Sequence, residues 1–560
     1  MPTINLGKVR FTWRGDYDNT NAYETNDVIN YNGTSYIAVG SVVASASLTP
    51  PNDTNWEVFS QGVNDIATDA GDLLYYTGTN LDKISIGTTS QVLKVDENGV
   101  PEWSDNPVRT GTRVHSLMDQ QYGYGSINRS MVRMMDGTLR SWGQGSNYML
   151  GQGQTTSDRT YPGDVAFPPN TPKIAANKFY YDYNTMAGAI DEDGDFWVWG
   201  PNSYGECGTG DTTAQYVPFN VTSSVANSLN GKQALHAYTG MDTQAFESWH
   251  VLATDGTVHS AGYNAYGQLG QGDTTNRNLF NQTPVLSGIT QLAVGSGRYK
   301  HVLALKVDGD TNYVYSWGYN GNGALGTGNT TQANIPMQIQ YFNTNSIKIV
   351  EIKALVNCSY ALADNGDLYS WGYNNYGQLG LGNTTQTLTP TLAATNVTEF
   401  WPGRGTINSL FIKKTDGTLH ATGHNGYGKL SVDGTTTNRQ SFGPCLYDGG
   451  AVVDADVSKI VNGEYLTWML KTDGTVWSAG YGGTGGLGIG TMEANNHYFK
   501  QVPIQRRLVN DIALIGSGTS TEGLLYLLDD GQLLMSGNGT NNQSADDDGD
   551  LNAVPNPIIF

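Results

Sequence analysis

A chain of 560 residues is too long for one ordinary core unless it is a repeat array or a closed ring, and 71 glycines are about twice the usual share. Its 51 Asp and Glu outweigh 30 Lys and Arg to leave a net charge of −21, with no basic run, which argues against a nucleic-acid partner. The cysteines, Cys207, Cys358 and Cys445, are too few and too scattered for a disulfide framework, and no apolar run is long enough to insert in a membrane.

The first segment, residues 1–62, opens with "MPTINLGKVRFTW", which lacks the basic-then-apolar order of a signal peptide, so a soluble product made in a cytoplasm is expected. "FTWRGDYDNTNAYETNDVINYNGTSYIAVG" (Phe11 to Gly40) follows, and "PPNDTNWEVFS" closes the segment. The order Trp13, Gly15, Tyr17, Tyr23, Asp27, Val28, Tyr31, Gly33, Tyr36, Trp56 resembles the small aromatic-rich carbohydrate-binding module of chitinases, which also occurs on phage tail proteins. Asn26 stands where that family has a glycine. The resemblance implies a small β module and rings that stack on sugars. In so small a module Trp13, Tyr36 and Trp56 are expected in the core, which leaves Tyr17, Tyr23 and Tyr31 as the candidate glycan-binding residues. An attachment or spacer role for the module is the stronger expectation of the two.

Residues 63–107 are polar and rich in Gly and Thr. "GDLLYYTGTNLDKISIGTTSQVLKVDENGVPEWSD" (Gly71 to Asp105) reads as an extended connector with a β-hairpin around "DENG" (Asp96 to Gly99). It is similar to segments of tail-fibre and other appendage proteins of tailed phages. That resemblance implies a homo-oligomer, with a trimer favoured, and a virion as the place where the chain resides.

From residue 108 to 560 one phrase recurs: "SAGYNAYGQLGQGDTT" from Ser260, "SWGYNGNGALGTGNTT" from Ser316 and "SWGYNNYGQLGLGNTT" from Ser370. Aligned on the glycine that ends the first triplet, eight units fall at Gly143, Gly200, Gly262, Gly318, Gly372, Gly423, Gly480 and Gly537, a period of about 56 residues. Each unit has an alternating run, an Asp-Gly or Asn-Gly turn, a second run such as "DGDFWVWG", the Gly-rich loop, then one or two weaker strands. Helical periodicity is nearly absent. The expected fold is all-β: a β-propeller of about eight four-stranded blades, with seven blades and an appended unit as the alternative. "DNGDLYSWGYNNYGQLGLGNTT" resembles the repeat of the regulator of chromosome condensation family, which implies the same propeller and a binding role rather than one fixed partner. The loop glycines and the leucine column (Leu150, Leu269, Leu325, Leu379, Leu430, Leu487) are read as scaffold.

No catalytic, cofactor-binding or metal-binding residues are assigned, and no enzyme is expected. His259 and His420 share a column that elsewhere holds Arg140, Trp197, Tyr315, Tyr369, Trp477 and Leu534, so they fill strand surface. His420 and His424 stand four apart across a strand and a turn, not on a helix. "DEDGD" (Asp191 to Asp195) and "DDDGD" (Asp546 to Asp550) read as acidic turns. What varies is tyrosine. Tyr263, Tyr319, Tyr373 and Tyr481 follow the aligned glycine, and Tyr204, Tyr266, Tyr376 and Tyr427 stand three places further on, as candidate recognition residues on one face of the ring. The bland alternative is that each packs on its neighbour's loop.

The expected function is that of a non-enzymatic virion structural protein of a tailed phage, a tail fibre or other appendage, or else a capsid decoration or head-fibre protein. Its partners would be other virion proteins and a host-surface glycan or protein. The expectation of another class is a cellular protein-interaction propeller or regulator.

Overall fold

In a computed structural model the chain forms two compact units, residues 1–107 and 108–560. The described residues of the second unit run from 113 to 560 with breaks at 118–128, 154–155, 182–185, 240–245, 297–298, 310, 404–407, 448–449, 452–455, 493–494, 505–506, 516–521, 539–550 and 559; in the first unit they are chiefly its strands.

The first unit has a four-stranded sheet of Thr12–Asp16, Asp27–Tyr31, Thr34–Ala38 and Trp56–Gln61, its first pair parallel and the rest antiparallel. Val28, Ile29, Tyr36 and Ala38 are buried in it, and buried Asp27 takes an ion pair from Arg14 at 3.1 Å. Two hairpins follow, Leu73–Tyr76 with Leu81–Ile84 and Gln91–Val95 with Pro101–Asp105, the second flanking "DENG".

The second unit is a propeller of eight blades: residues 114–164, 174–220, 234–282, 289–338, 349–394, 397–444, 457–501 and 509–557. Each blade is four consecutive antiparallel strands, as in blade 5: Ile349–Ala354, Cys358–Ala363, Leu368–Gly372 and Thr387–Ala394. Second and third strands are almost wholly buried; fourth strands are the exposed rim. First strands of neighbouring blades touch one another and so line the axis. Among the described residues blade 7 alone carries two extra short strands, Leu446–Tyr447 and Gly450–Ala451.

The apolar core is not central. It consists of eight clusters, and each straddles one seam between blades. Cohesion therefore comes from blade against blade. The ring closes without a shared strand: Val114 N donates to Gly531 O (2.8 Å), Arg113 pairs with Asp530 (3.3 Å), and Val114 and Leu117 join one core with Ala513, Ile515 and Leu525. Among the described residues one short α-helix, Gln340–Thr344, lies where strands or loop were expected; five residues show no 3.6-residue period, and it forms because Phe342 is buried against blade 5.

Candidate functional site

Loops from third to fourth strands and turns from first to second strands emerge on the same side of the ring, because successive strands alternate in direction. The recurring phrase builds this face, and its chemistry repeats. In blade 5 the aligned Gly372 has φ of 100°, and a Cβ there would collide with the Asn357 carbonyl, so only glycine fits. Ser370 Oγ donates to Leu379 O at 2.8 Å. Asn374 then pins the loop from within: its Oδ1 accepts from Leu379 N (3.0 Å) while its Nδ2 donates to Asn383 O (3.0 Å) and Thr385 O (3.1 Å). Asn264 and Asn320 repeat all three contacts, and Asn202 and Asn425 repeat the arrangement. Leu379 is fully buried, as its column requires.

Two further kinds of bond tie loops to the next blade. Trp199, Trp317 and Trp371 donate through Nε1 to carbonyls of the preceding loop, Met149, Gln268 and Ala324, at 2.8–2.9 Å. A later loop glycine donates to the neighbour's fourth strand, as Gly272 N to Asn334 O and Gly382 N to Gln440 O, both at 2.8 Å. Four third strands lack that Trp: at Ala261, Thr422 and Ala479 a Phe from the fourth strand is packed in the same seam region (Phe280, Phe442 or Phe499), and at Ser536 Tyr526 of the second strand stands toward Gly488 instead.

The tyrosines lie above this scaffold. Tyr204, Phe246, Tyr263, Tyr266, Tyr299 and Tyr319 form a continuous arc across blades 2 to 4, each ring 4.6–6.4 Å from the next, mostly edge to face. Tyr263 is the buried keystone; Tyr299 is 40% exposed, and the others are half-buried. Over blades 5 to 7 the pattern breaks into two short groups: Tyr373 with Tyr376 and His424, and Tyr427 with Tyr465 and Tyr481. All eight candidate ring tyrosines thus pack on neighbours and seven keep an accessible part. Phe246, Tyr299 and Tyr465 were missed in the sequence because they sit in turns outside the repeated phrase.

Charges lie buried under the same face. Lys300 pairs with Glu247, both fully buried, and Glu206 nearby is pushed up to about 7 by desolvation. Across the ring Lys429 Nζ donates to Gly463 O at 2.8 Å, and Glu522 accepts from the Tyr465 N–H at 3.1 Å; burial pushes the Lys429 ammonium down and the Glu522 carboxyl up. These groups hold the strand entries and are not open to solvent.

Among the described residues no three His, Cys, Asp or Glu side chains converge on a metal-sized site. His259 is buried between Ser228 Oγ (2.6 Å) and Thr257 Oγ1 (2.9 Å), while the nearby Asp255 carboxylate holds Thr257 rather than the ring. Half-buried His420 bonds Thr418. Burial pushes the Cys358 thiol up to about 12. Of the candidate glycan-binding residues, Tyr31 ends the strand Asp27–Tyr31, and Tyr17 and Tyr23 lie outside the described residues.

Residues 193–237, 312–362 and 365–400 match the family model "Regulator of chromosome condensation (RCC1) repeat". These three stretches of the ring resemble RCC1-type repeats. The chain is 28% identical over 274 residues to the ultraviolet-B receptor UVR8 of Arabidopsis thaliana, covering 48% of this chain and 57% of that one. It is also 28% identical over 392 residues to the human E3 ubiquitin-protein ligase HERC2, 68% of this chain but 7% of that protein. It therefore spans about half of one relative and a small part of the other. The solved structure of human WBSCR16 shares the fold, with a TM-score of 0.50, 20% identity, and coverage of 67% of this chain and 96% of that one. These RCC1-type relatives overturn the expected virion location: they are proteins of a plant and of mammals, and they point to a cellular one.

Proposed function

We propose that this chain is a non-enzymatic cellular interaction propeller that presents the aromatic arc over blades 2 to 4 to a protein partner. The single observation that carries the reading is the arc itself. Six rings are held against one another, mostly edge to face, on a scaffold locked by hydrogen bonds, so their contact area is offered with little ordering left to do on binding. Rigid aromatic anchors are what protein interfaces draw most of their affinity from. The RCC1-type repeats support a binding role, and each relative's own activity belongs to a longer or different chain. Homo-oligomerisation, with a trimer favoured, belongs to the same proposal, and sedimentation of the full chain tests it. For the arc the test is a Tyr299→Ala, Tyr319→Ala double variant. It should melt like the parent and lose the partner that co-purifies with the parent; retention of that partner at parental yield would refute the assignment.

A further inference from the structure

The connectors that leave the fourth strands close the seams between blades, with an aromatic ring after blades 1, 4, 6 and 8 and an aliphatic side chain after blades 2, 3 and 7 (Leu229, Leu286 and Ile504), and the seam after blade 5 is the exception. After blade 1, Phe167 packs on Trp197 and Trp199 with centroids 5.6 and 5.9 Å apart. After blade 4, Phe342 packs on Tyr369 and Trp371 at 5.7 and 5.9 Å. After blade 6, Tyr447 packs on Trp477 at 4.6 Å. In each case an aromatic ring from the connector plugs the rim against the next blade. Blade 5 has no such connector. Its fourth strand, Thr387–Ala394, stays paired as far as Ala394 with Leu368, and residues 395–396 lead directly into Val397–Pro402 of blade 6.

The consequence is a groove of about 790 Å³ between blades 5 and 6. Phe442, Leu381 and Leu392 give it apolar surface, the last of them 46% exposed. Thr391, Thr395 and Ser441 add hydroxyls. Phe442 stands toward Gly380 as Trp199 and Trp371 stand toward Gly151 and Gly326, so it occupies the place of two of the rings that receive the plugs elsewhere. The charge is also an exception. On a chain of net charge −21, this groove has no carboxylate among its lining residues and one ammonium, that of Lys414.

We propose that the groove between blades 5 and 6 is a peptide-binding site, separate from the aromatic arc, that takes an extended segment of a partner protein carrying an aromatic side chain next to a carboxylate. The aromatic ring takes the place that Phe167, Phe342 and Tyr447 fill in their own seams. The carboxylate meets Lys414, the one charge in the wall. The volume suits a segment of a few residues, and rims of exposed strand are a common place for extended peptides to lie.

The test titrates the full chain by calorimetry with a capped threonine-rich peptide carrying one phenylalanine followed by one aspartate. Two companion peptides replace the phenylalanine by alanine or the aspartate by lysine. Saturable binding of the first peptide is expected, at least tenfold weaker for the alanine peptide and for a Leu392→Arg variant of the protein. A Lys414→Glu variant should reverse the preference between the aspartate and lysine peptides. Both variants lie on the rim and should melt like the parent. Absence of saturation at millimolar peptide, equal affinity for the Leu392→Arg variant, or an unchanged preference in Lys414→Glu would each overturn the proposal. So would saturation by glucuronic acid with none by the peptides, which would mark the groove as a sugar site.

Discussion

The root of each loop and its crest obey different rules. At the root, Asn264, Asn320 and Asn374 make the same three bonds, and Ser260, Ser316 and Ser370 the same one, blade after blade. At the crest the rings are continuous over blades 2 to 4 and broken over blades 5 to 7. Repetition thus marks what the ring needs in order to stand, and variation marks where one sector can be told from another. Substitution should separate the two.

The largest effect is expected at the root. Trp371→Ala removes a fully buried ring and its bond to Ala324, and should cost about 3–5 kcal/mol by denaturant unfolding. Leu379→Ala, also fully buried, should cost about 2–5 kcal/mol; a loss within ~0.5 kcal/mol would mean that the column is not a structural anchor.

The buried histidines give the scaffold a pH signature. Desolvation lowers His301 to about 4, with His250 and His424 lower still. The unfolded chain protonates these rings near 6.5 and the folded one does not, so each removes stability as pH falls from about 6.5 to its folded value, by about 1.4 kcal/mol per pH unit. Glu206, raised to about 7, acts with the opposite sign: its contribution is lost as pH rises from about 4.5 to 7. The net slope is therefore mixed, and the informative quantity is a difference. His301→Gln should lose less stability than the parent between pH 6.5 and 4; parallel curves would show that His301 does not stay neutral when folded.

Asn374→Ala strands the Leu379 N–H and two carbonyls and should cost about 1–3 kcal/mol, with melting as the readout. The smallest effect on stability belongs to the crest. Tyr299→Ala, at a 40% exposed ring, should stay within ~0.5 kcal/mol of the parent while weakening partner binding by about 2 kcal/mol.

Much of the ring was legible because its punctuation is local. Aligned glycines and Asp-Gly or Asn-Gly turns place every blade, and the buried leucines follow from their column. What escaped depends on distance in sequence. The Asn column two places after the aligned glycine could have been read, since Asn202, Asn264, Asn320, Asn374 and Asn425 stand in register. The pairing of Ala261 with Phe280, Thr422 with Phe442 and Ala479 with Phe499 links strands on either side of a long loop, and no local pattern reveals it. Phe246 and Tyr299 meet Tyr263 and Tyr266 only when the turns fold over the loops, so the tyrosines were visible and the arc was not. The open seam between blades 5 and 6 was hidden for the same reason: it comes from a connector that is short, and a short connector leaves no motif.

Site-specific photocrosslinking tests the central claim most directly. A benzophenone amino acid would replace Tyr299 at the arc, or Val285, which is 80% exposed in a connector on the opposite face, in the full chain within its own cell extract. The aromatic arc as interaction face predicts a discrete adduct from position 299 and none from 285. Equal adducts from both positions, or a discrete adduct from 285 alone, would contradict it.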